Sequence, residues 1–257
     1  MKKKNSDPVF LIGFPRSGTT LLDTILRSHN SIEVIEEKPL VEKTVFSLNK
    51  MIKNDFNNLK KLKDIDLKNL QNIYYEEIKK NIFDKKNIKI YIDKLPLNII
   101  HVGEILKIFP QAKFIFSLRH PCDCVLSCFM QNFKINNAMA NFLSIEDSAN
   151  IYENVMNLWK VYTSNLKFNF KEIKYENLID NFEETIKSLT KFLNLPWDKS
   201  VLNYHQTAKE RLQIKTPSYD QVIKPIYQDA NGRWKKYQKF INPVYPKLEK
   251  WIKRFDY

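Results

Sequence analysis

The chain has 257 residues, 43% of them hydrophobic, enough to fill a packed interior, which sets aside a disordered chain and points to one domain spanning 1–257. Its 42 Lys and Arg against 29 Asp and Glu leave a formal charge of +13, so its field draws anions, whether nucleic acid, acidic peptide or a polyphosphorylated small molecule. Nowhere does an apolar run approach the ~18 residues that a membrane span needs, so the expectation is a soluble, cytoplasmic chain with no membrane partner.

The opening Met1-Lys-Lys-Lys has the charge of a secretory leader, but the apolar run that follows, Val9 to Phe14, ends at Pro15-Arg16 and is too short for one. Val9-Phe-Leu-Ile-Gly13 is continuous and apolar, as in a buried parallel strand, and Thr19 to Ser28 has the periodicity of an amphipathic helix. From Leu40 to Phe83 the spacing is helical with no internal proline, which predicts two or three helices forming an insertion or lid. Ile88 to Ile92 and Phe114 to Leu118 predict two further strands, joined through a helix over Leu97 to Phe109 that Pro110 closes.

A helix is expected after Pro121, and the three cysteines, Cys122, Cys124 and Cys128, crowd into it. An odd number with no spread-out framework reads as free thiols in a reducing compartment. No second Cys or His pair supplies zinc spacing, so no metal is expected. A helix over Ile145 to Ser164, a strand over Phe170 to Lys174 and a helix over Leu178 to Leu193 follow. Beyond Pro196-Trp197 the pattern loosens, and a basic segment, Lys215 to Tyr237, precedes a last helix over Pro243 to Phe255. Strands alternating with helices predict an α/β fold with a parallel sheet flanked by helices on both faces.

Gly13-Phe-Pro-Arg-Ser-Gly-Thr-Thr20 falls between the first strand and its helix, where backbone N–H groups and the helix dipole converge on an anion. The spacing is that of a P-loop, which makes the domain P-loop-type. In a nucleotide triphosphatase the residue after the second glycine is a lysine, followed by a magnesium-binding hydroxyl; here that position is Thr19. Arg16 inside the loop restores the positive charge, and its planar fork suits a tetrahedral oxyanion group.

Pro-Arg-Ser-Gly-Thr-Thr resembles the 5′-phosphosulfate loop of sulfotransferases that use 3′-phosphoadenylyl sulfate (PAPS), closest to the tyrosylprotein and related bacterial branch. The resemblance assigns Arg16, Ser17, Gly18, Thr19 and Thr20 to the donor. Lys113-Phe-Ile-Phe-Ser-Leu-Arg119-His-Pro, with Ser127 two turns into the next helix, is similar to the family's 3′-phosphate motif. There a strand-end arginine and a helix hydroxyl grip one phosphate from two sides, at the edge where α/β sheets bind ligands. Lys174-Tyr175-Glu-Asn-Leu resembles the segment that sets an aromatic close to the nucleotide, and Ser218 through Tyr227 with Gly232-Arg233-Trp234 resembles the segment that wraps it, adding Ser218, Lys224 and Arg233 as donors. Gln131 departs from the pattern, standing roughly where that branch has a second phosphate arginine.

The resemblance also implies the chemistry, transfer of a sulfuryl group to an acceptor hydroxyl with PAP released and no metal required, since a sulfuryl group carries less charge than a terminal phosphoryl. Glu37, the second of Glu36-Glu37, takes the place of the family's proposed base, with Glu36 beside it and His29 as the second choice. Asp93-Lys94-Leu-Pro is similar to the segment whose lysine stabilises the departing oxygen, so Lys94 is the electrophile, assisted by Arg16 and Ser218. Peptide tyrosine, carbohydrate and small alcohols all fit as acceptors. Two other classes account for some of the same features: a kinase using ATP and magnesium on this scaffold, against which Thr19 in place of lysine counts, and a non-enzymatic basic protein binding nucleic acid, which explains the charge and leaves the loop without a purpose.

Overall fold

Along the first strand Val9 and Leu11 fall in one apolar cluster while Phe10 and Ile12 fall in another, the two-residue alternation of a sheet buried on both faces. The computed structural model describes residues 7–82, 87–134, 136–210 and 231–257. Among them β1 (Val9–Gly13), β2 (Ile32–Glu36), β3 (Ile90–Lys94), β4 (Lys113–Leu118) and β5 (Asn169–Lys174) form one sheet of order β2-β3-β1-β4-β5. Every neighbouring pair is parallel.

On one face, Phe10, Ile12, Phe114 and Phe116 pack beneath α2 (Leu40–Met51), α3 (Asp64–Asn81), α4 (Val102–Ile108), α5 (Pro121–Phe129), α6 (Ile145–Asn165) and the C-terminal helix over Tyr245–Arg254. On the other, Leu11, Ile92 and Ile115 meet α1 (Thr19–Arg27), α7 (Tyr175–Asp180), α8 (Phe182–Phe192) and α9 (Tyr204–Glu210). A short helix, α10 (Gln238–Ile241), leads into the C-terminal one, α11. Among the described residues no helix is long and apolar enough to cross a membrane.

The expected elements are present with several differences, among them the helix expected over Leu97 to Phe109, which opens as a 3-10 helix over Pro96–His101 and becomes α4 only from Val102. β2 was not anticipated, because Ile32-Glu-Val-Ile-Glu places glutamate at two of five positions; Glu33 is buried there, 3.4 Å from the Arg27 guanidinium. The helix expected over Leu178 to Leu193 is two, broken at Asn181, whose backbone leaves the helical region. The third strand runs from Ile90 to Lys94, two residues later than its apolar run. The stretch from Leu40 is helical as expected, and Leu40, Val45, Leu48, Leu70 and Tyr74 are buried in the same cluster as the sheet.

Candidate active site

Strand register brings one edge level: Glu36 pairs with Lys94, Leu11 with Lys94, Gly13 with Ser117, and Leu118 with Lys174. The glycine loop, Glu36-Glu37, Asp93-Lys94, Arg119 and Tyr175 all lie at this carboxyl-terminal edge. Central β1 sends its connection toward β2 on one side, while β3 crosses over it to reach β4 on the other. The resulting crevice is where open α/β sheets bind ligands.

The loop after β1 is shaped by its glycines. A Cβ on Gly13 would lie 2.6 Å from the Ser117 carbonyl oxygen and 2.7 Å from Ser17 Oγ, so only glycine permits β1, β4 and the loop to approach so closely. Gly18 has a φ of 95°, and a Cβ there would stand 2.7 Å from the Tyr175 ring. Arg16, also left-handed with a φ of 69°, stores strain in the loop that presents it. Ser117 Oγ donates to the Ser17 carbonyl at 2.9 Å, while Ser17 Oγ, 1% exposed, has no hydrogen-bond partner among the described residues. α1 begins immediately afterwards with no side-chain cap and no acidic residue in its first turn. A buried hydroxyl without a partner, facing a glycine-lined cradle at a helix N-terminus, fits a tetrahedral anion.

α5 braces this loop from behind. Arg16 Nε donates to Ser127 Oγ at 3.0 Å, which joins Ser127 to the first loop. Cys128 Sγ lies 3.3 Å from the Pro15 carbonyl and Cys124 Sγ 3.8 Å from that of Arg119. Burial pushes all three thiols up, Cys122 to about 12, so they pack as neutral groups. Among the described residues no cluster of His, Cys, Asp and Glu could hold a metal ion. Arg119, at the end of β4, donates to the Arg16 carbonyl at 3.3 Å and lies over the Tyr175 ring, 5.1 Å from its centre. Arg16, Ser127, Arg119 and Tyr175 therefore form one constellation with the glycine loop.

Across β1, Lys94 is fully buried, and its amine donates to Glu37 at 2.8 Å and to Glu36 at 3.3 Å. Glu37 leaves β2 with a φ of 48°, and its N–H bonds the Lys94 carbonyl at 2.8 Å. Its side chain is 41% exposed against 12% for Glu36. Asp93 points to the opposite face, where Tyr74 Oη donates to it at 3.3 Å and Asn98 at 3.4 Å. Burial pushes its carboxyl up to about 8.

Not every candidate joins this group. His29 lies just past the C-terminal end of α1, whereas the loop opens the helix at its N-terminus. Its Nδ1 accepts from the Ser31 N–H at 3.1 Å, which leaves Nε2 to donate to the Pro196 carbonyl at 3.0 Å, so the second-choice base holds a turn away from the loop. Arg233 is exposed and sits over the Tyr237 ring, 5.9 Å from its centre. Ser218 and Lys224 lie outside the described residues. Asp123, which the sequence offered only as a neighbour of the cysteines, accepts from Gly232 and Trp234 N–H groups more than a hundred residues away.

Residues 8–199 match the model of a family described as "Sulfotransferase family". An uncharacterized protein of Aquifex aeolicus (strain VF5) is 32% identical over 261 residues, covering 97% of this chain and 33% of that protein. Protein-tyrosine sulfotransferase 1 of Danio rerio is 26% identical over 243 residues, covering 90% of this chain and 66% of its own. The chain thus spans a third of the first of these relatives and just under two thirds of the second. In three dimensions the sulfotransferase domain from the curacin biosynthetic pathway is similar with a TM-score of 0.65 at 19% identity, over 98% of both chains, a likeness of fold.

Proposed function

The chain belongs to the sulfotransferase family, and we propose that it moves a sulfuryl group from PAPS to an acceptor hydroxyl by in-line displacement, with Glu37 as the base. The observation that carries this reading is the Lys94–Glu37 pair at 2.8 Å, a buried cation and an accessible carboxylate on strands next to a glycine-lined anion loop. When bound, the donor supplies an activated sulfuryl group and a phosphate that leaves as an anion. Arg16, Ser17, Gly18, Thr19 and Thr20 hold its phosphosulfate end, Arg119 and Ser127 its 3′-phosphate, and Tyr175 packs near the nucleotide, with Ser218, Lys224 and Arg233 as further donors.

Glu37 takes the acceptor's proton; being more exposed than Glu36 on the same amine, it is the carboxylate an incoming hydroxyl meets first. Lys94 places its charge beside the departing oxygen, helped by Arg16 and Ser218, and catalysis is mostly alignment and charge placement. No lysine stands at the P-loop position that reaches nucleotide phosphates; Thr19 follows Gly18 instead, which counts against the kinase reading. The zebrafish relative, a protein-tyrosine sulfotransferase, supports peptide tyrosine as the first acceptor to examine. Three buried free cysteines support a reducing, cytoplasmic setting.

Calorimetry with PAP in the presence and absence of magnesium, against ATP with magnesium, tests the donor. Magnesium-independent binding of PAP is expected; preference for ATP with magnesium overturns the reading in favour of a kinase. Radiolabelled PAPS with tyrosine peptides flanked by carboxylates, a carbohydrate and a small alcohol then assigns the acceptor.

A further inference from the structure

Asp123 is 1% exposed on the first turn of α5, and no cation of its own helix answers it. Its Oδ2 accepts from the Gly232 N–H at 2.9 Å and its Oδ1 from the Trp234 N–H at 2.8 Å, so one carboxylate holds the backbone on both sides of Arg233. Burial pushes the carboxyl up, and the charges of Arg119 and Arg233 act against that rise; the group thus lies within the fields of both. The grip is flanked by aromatic packing. Trp234 stacks on His120, with ring centres 5.2 Å apart and planes 18° apart. Glu176, next to Tyr175, accepts from the His120 N–H at 3.0 Å and from Tyr257 Oη at 2.9 Å. One ring contact and three hydrogen bonds therefore fasten the returning C-terminal segment to His120, Asp123 and Glu176, close after Arg119 and Tyr175.

We propose that Asp123 is a positioning residue for donor binding, registering the 231–237 segment on α5 so that Arg233 is held beside the Arg119 loop. The inference rests on the donor site described above. A carboxylate that made only a structural bond would need one backbone partner; spanning Arg233 with two fixes the direction in which that residue leaves the chain. Because buried carboxylates paired to backbone donors are costly to break, the segment is held as a rigid part of the site.

The test uses the full chain as wild type, Asp123→Asn, Arg233→Ala and the double variant. Asparagine keeps the size and one acceptor, and Arg233 is exposed, so circular dichroism is expected to show native folding for all. Hydrogen exchange read at Gly232 and Trp234 is expected to quicken about tenfold or more in Asp123→Asn. PAP affinity is expected to fall about tenfold in each single variant and no further in the double, the non-additivity of two residues acting through one contact. Faster exchange with unchanged PAP affinity overturns the proposal, as do losses that multiply in the double variant. A wild type that binds no PAP removes the donor reading itself, whereas unchanged exchange in Asp123→Asn removes the clamp alone.

Discussion

The amine of Lys94 and the carboxylate of Glu37 meet at 2.8 Å although 57 residues separate them, because β2 and β3 are neighbours whose last residues, Glu36 and Lys94, are in register. Two ends of adjacent parallel strands thus bring a cation and a carboxylate together without any loop having to bend toward the other.

Lys94→Ala and Glu37→Gln are each expected to lower turnover roughly a hundredfold or more, the range for a lost charge stabiliser or general base. His29→Asn serves as the control, since its ring bonds Ser31 and Pro196, and its turnover stays within about twofold of wild type. Single-turnover rates with saturating PAPS decide the point; an unaffected Lys94 or Glu37 variant loses its place in the mechanism.

Arg16→Ala is expected to act on affinity, raising the dissociation constant for PAP by about tenfold or more, because its guanidinium carries charge into the loop and links it to Ser127. Ser127→Ala should weaken PAP less, leaving the charge in place. Calorimetry that returned wild-type affinity for Arg16→Ala would separate the loop from the donor.

Gly13→Ala is expected to lower the melting temperature by about 5 °C, since the added methyl meets the Ser117 carbonyl at 2.6 Å and overpacking costs about 1–3 kcal/mol. The obstruction is the backbone of β4, which cannot rotate aside as a side chain does. An unchanged melting curve would show that β1 and β4 have room to separate.

Asp93 makes stability depend on pH. Burial holds its carboxyl at about 8 in the folded chain, against about 3.9 when unfolded, so between those values the folded chain keeps a proton that the unfolded chain has released. Its contribution is full below about 4 and is lost as pH rises through about 8. His120, pushed down to about 4 by burial, acts in the other direction, its contribution being lost as pH falls from 6.5 toward 4. The window from about 6.5 to 8.5 therefore isolates Asp93: the wild-type melting temperature falls across it, and the fall is shallower in Asp93→Asn. Parallel profiles would show that Asp93 is ionised in the folded chain.

How much could be read in advance follows from how local each signal is. β1, the glycine loop and α1 are consecutive residues with one apolar run and one periodicity, and the sequence places them within a residue of where they lie. Glu37 and Lys94 were marked by family resemblance, since adjacent glutamates and a lysine after a strand have no chemistry of their own until strand order joins them. β2 was hidden because burial of Glu33 depends on Arg27, a tertiary fact. Asp123 had no local signal at all, its partners being 109 and 111 residues distant. Asn181 broke a helix whose apolar spacing continues through it.

The level edge of the sheet has a bearing on how the protein comes into being. Each of the five strands delivers one segment to the site, from the loop after β1 to Tyr175 after β5, and the chain from 231 closes over α5 last in sequence. Such long-range pairings form slowly and together. A nascent chain that has emerged only as far as β4 owns the glycine loop and Lys94 but lacks Tyr175 and the 231–237 segment, so the proposed donor site is complete only when the last segments have arrived. A nucleotide bound in the proposed donor site would act as a seal on the finished molecule, raising the unfolding temperature with the logarithm of its concentration once every strand is in place.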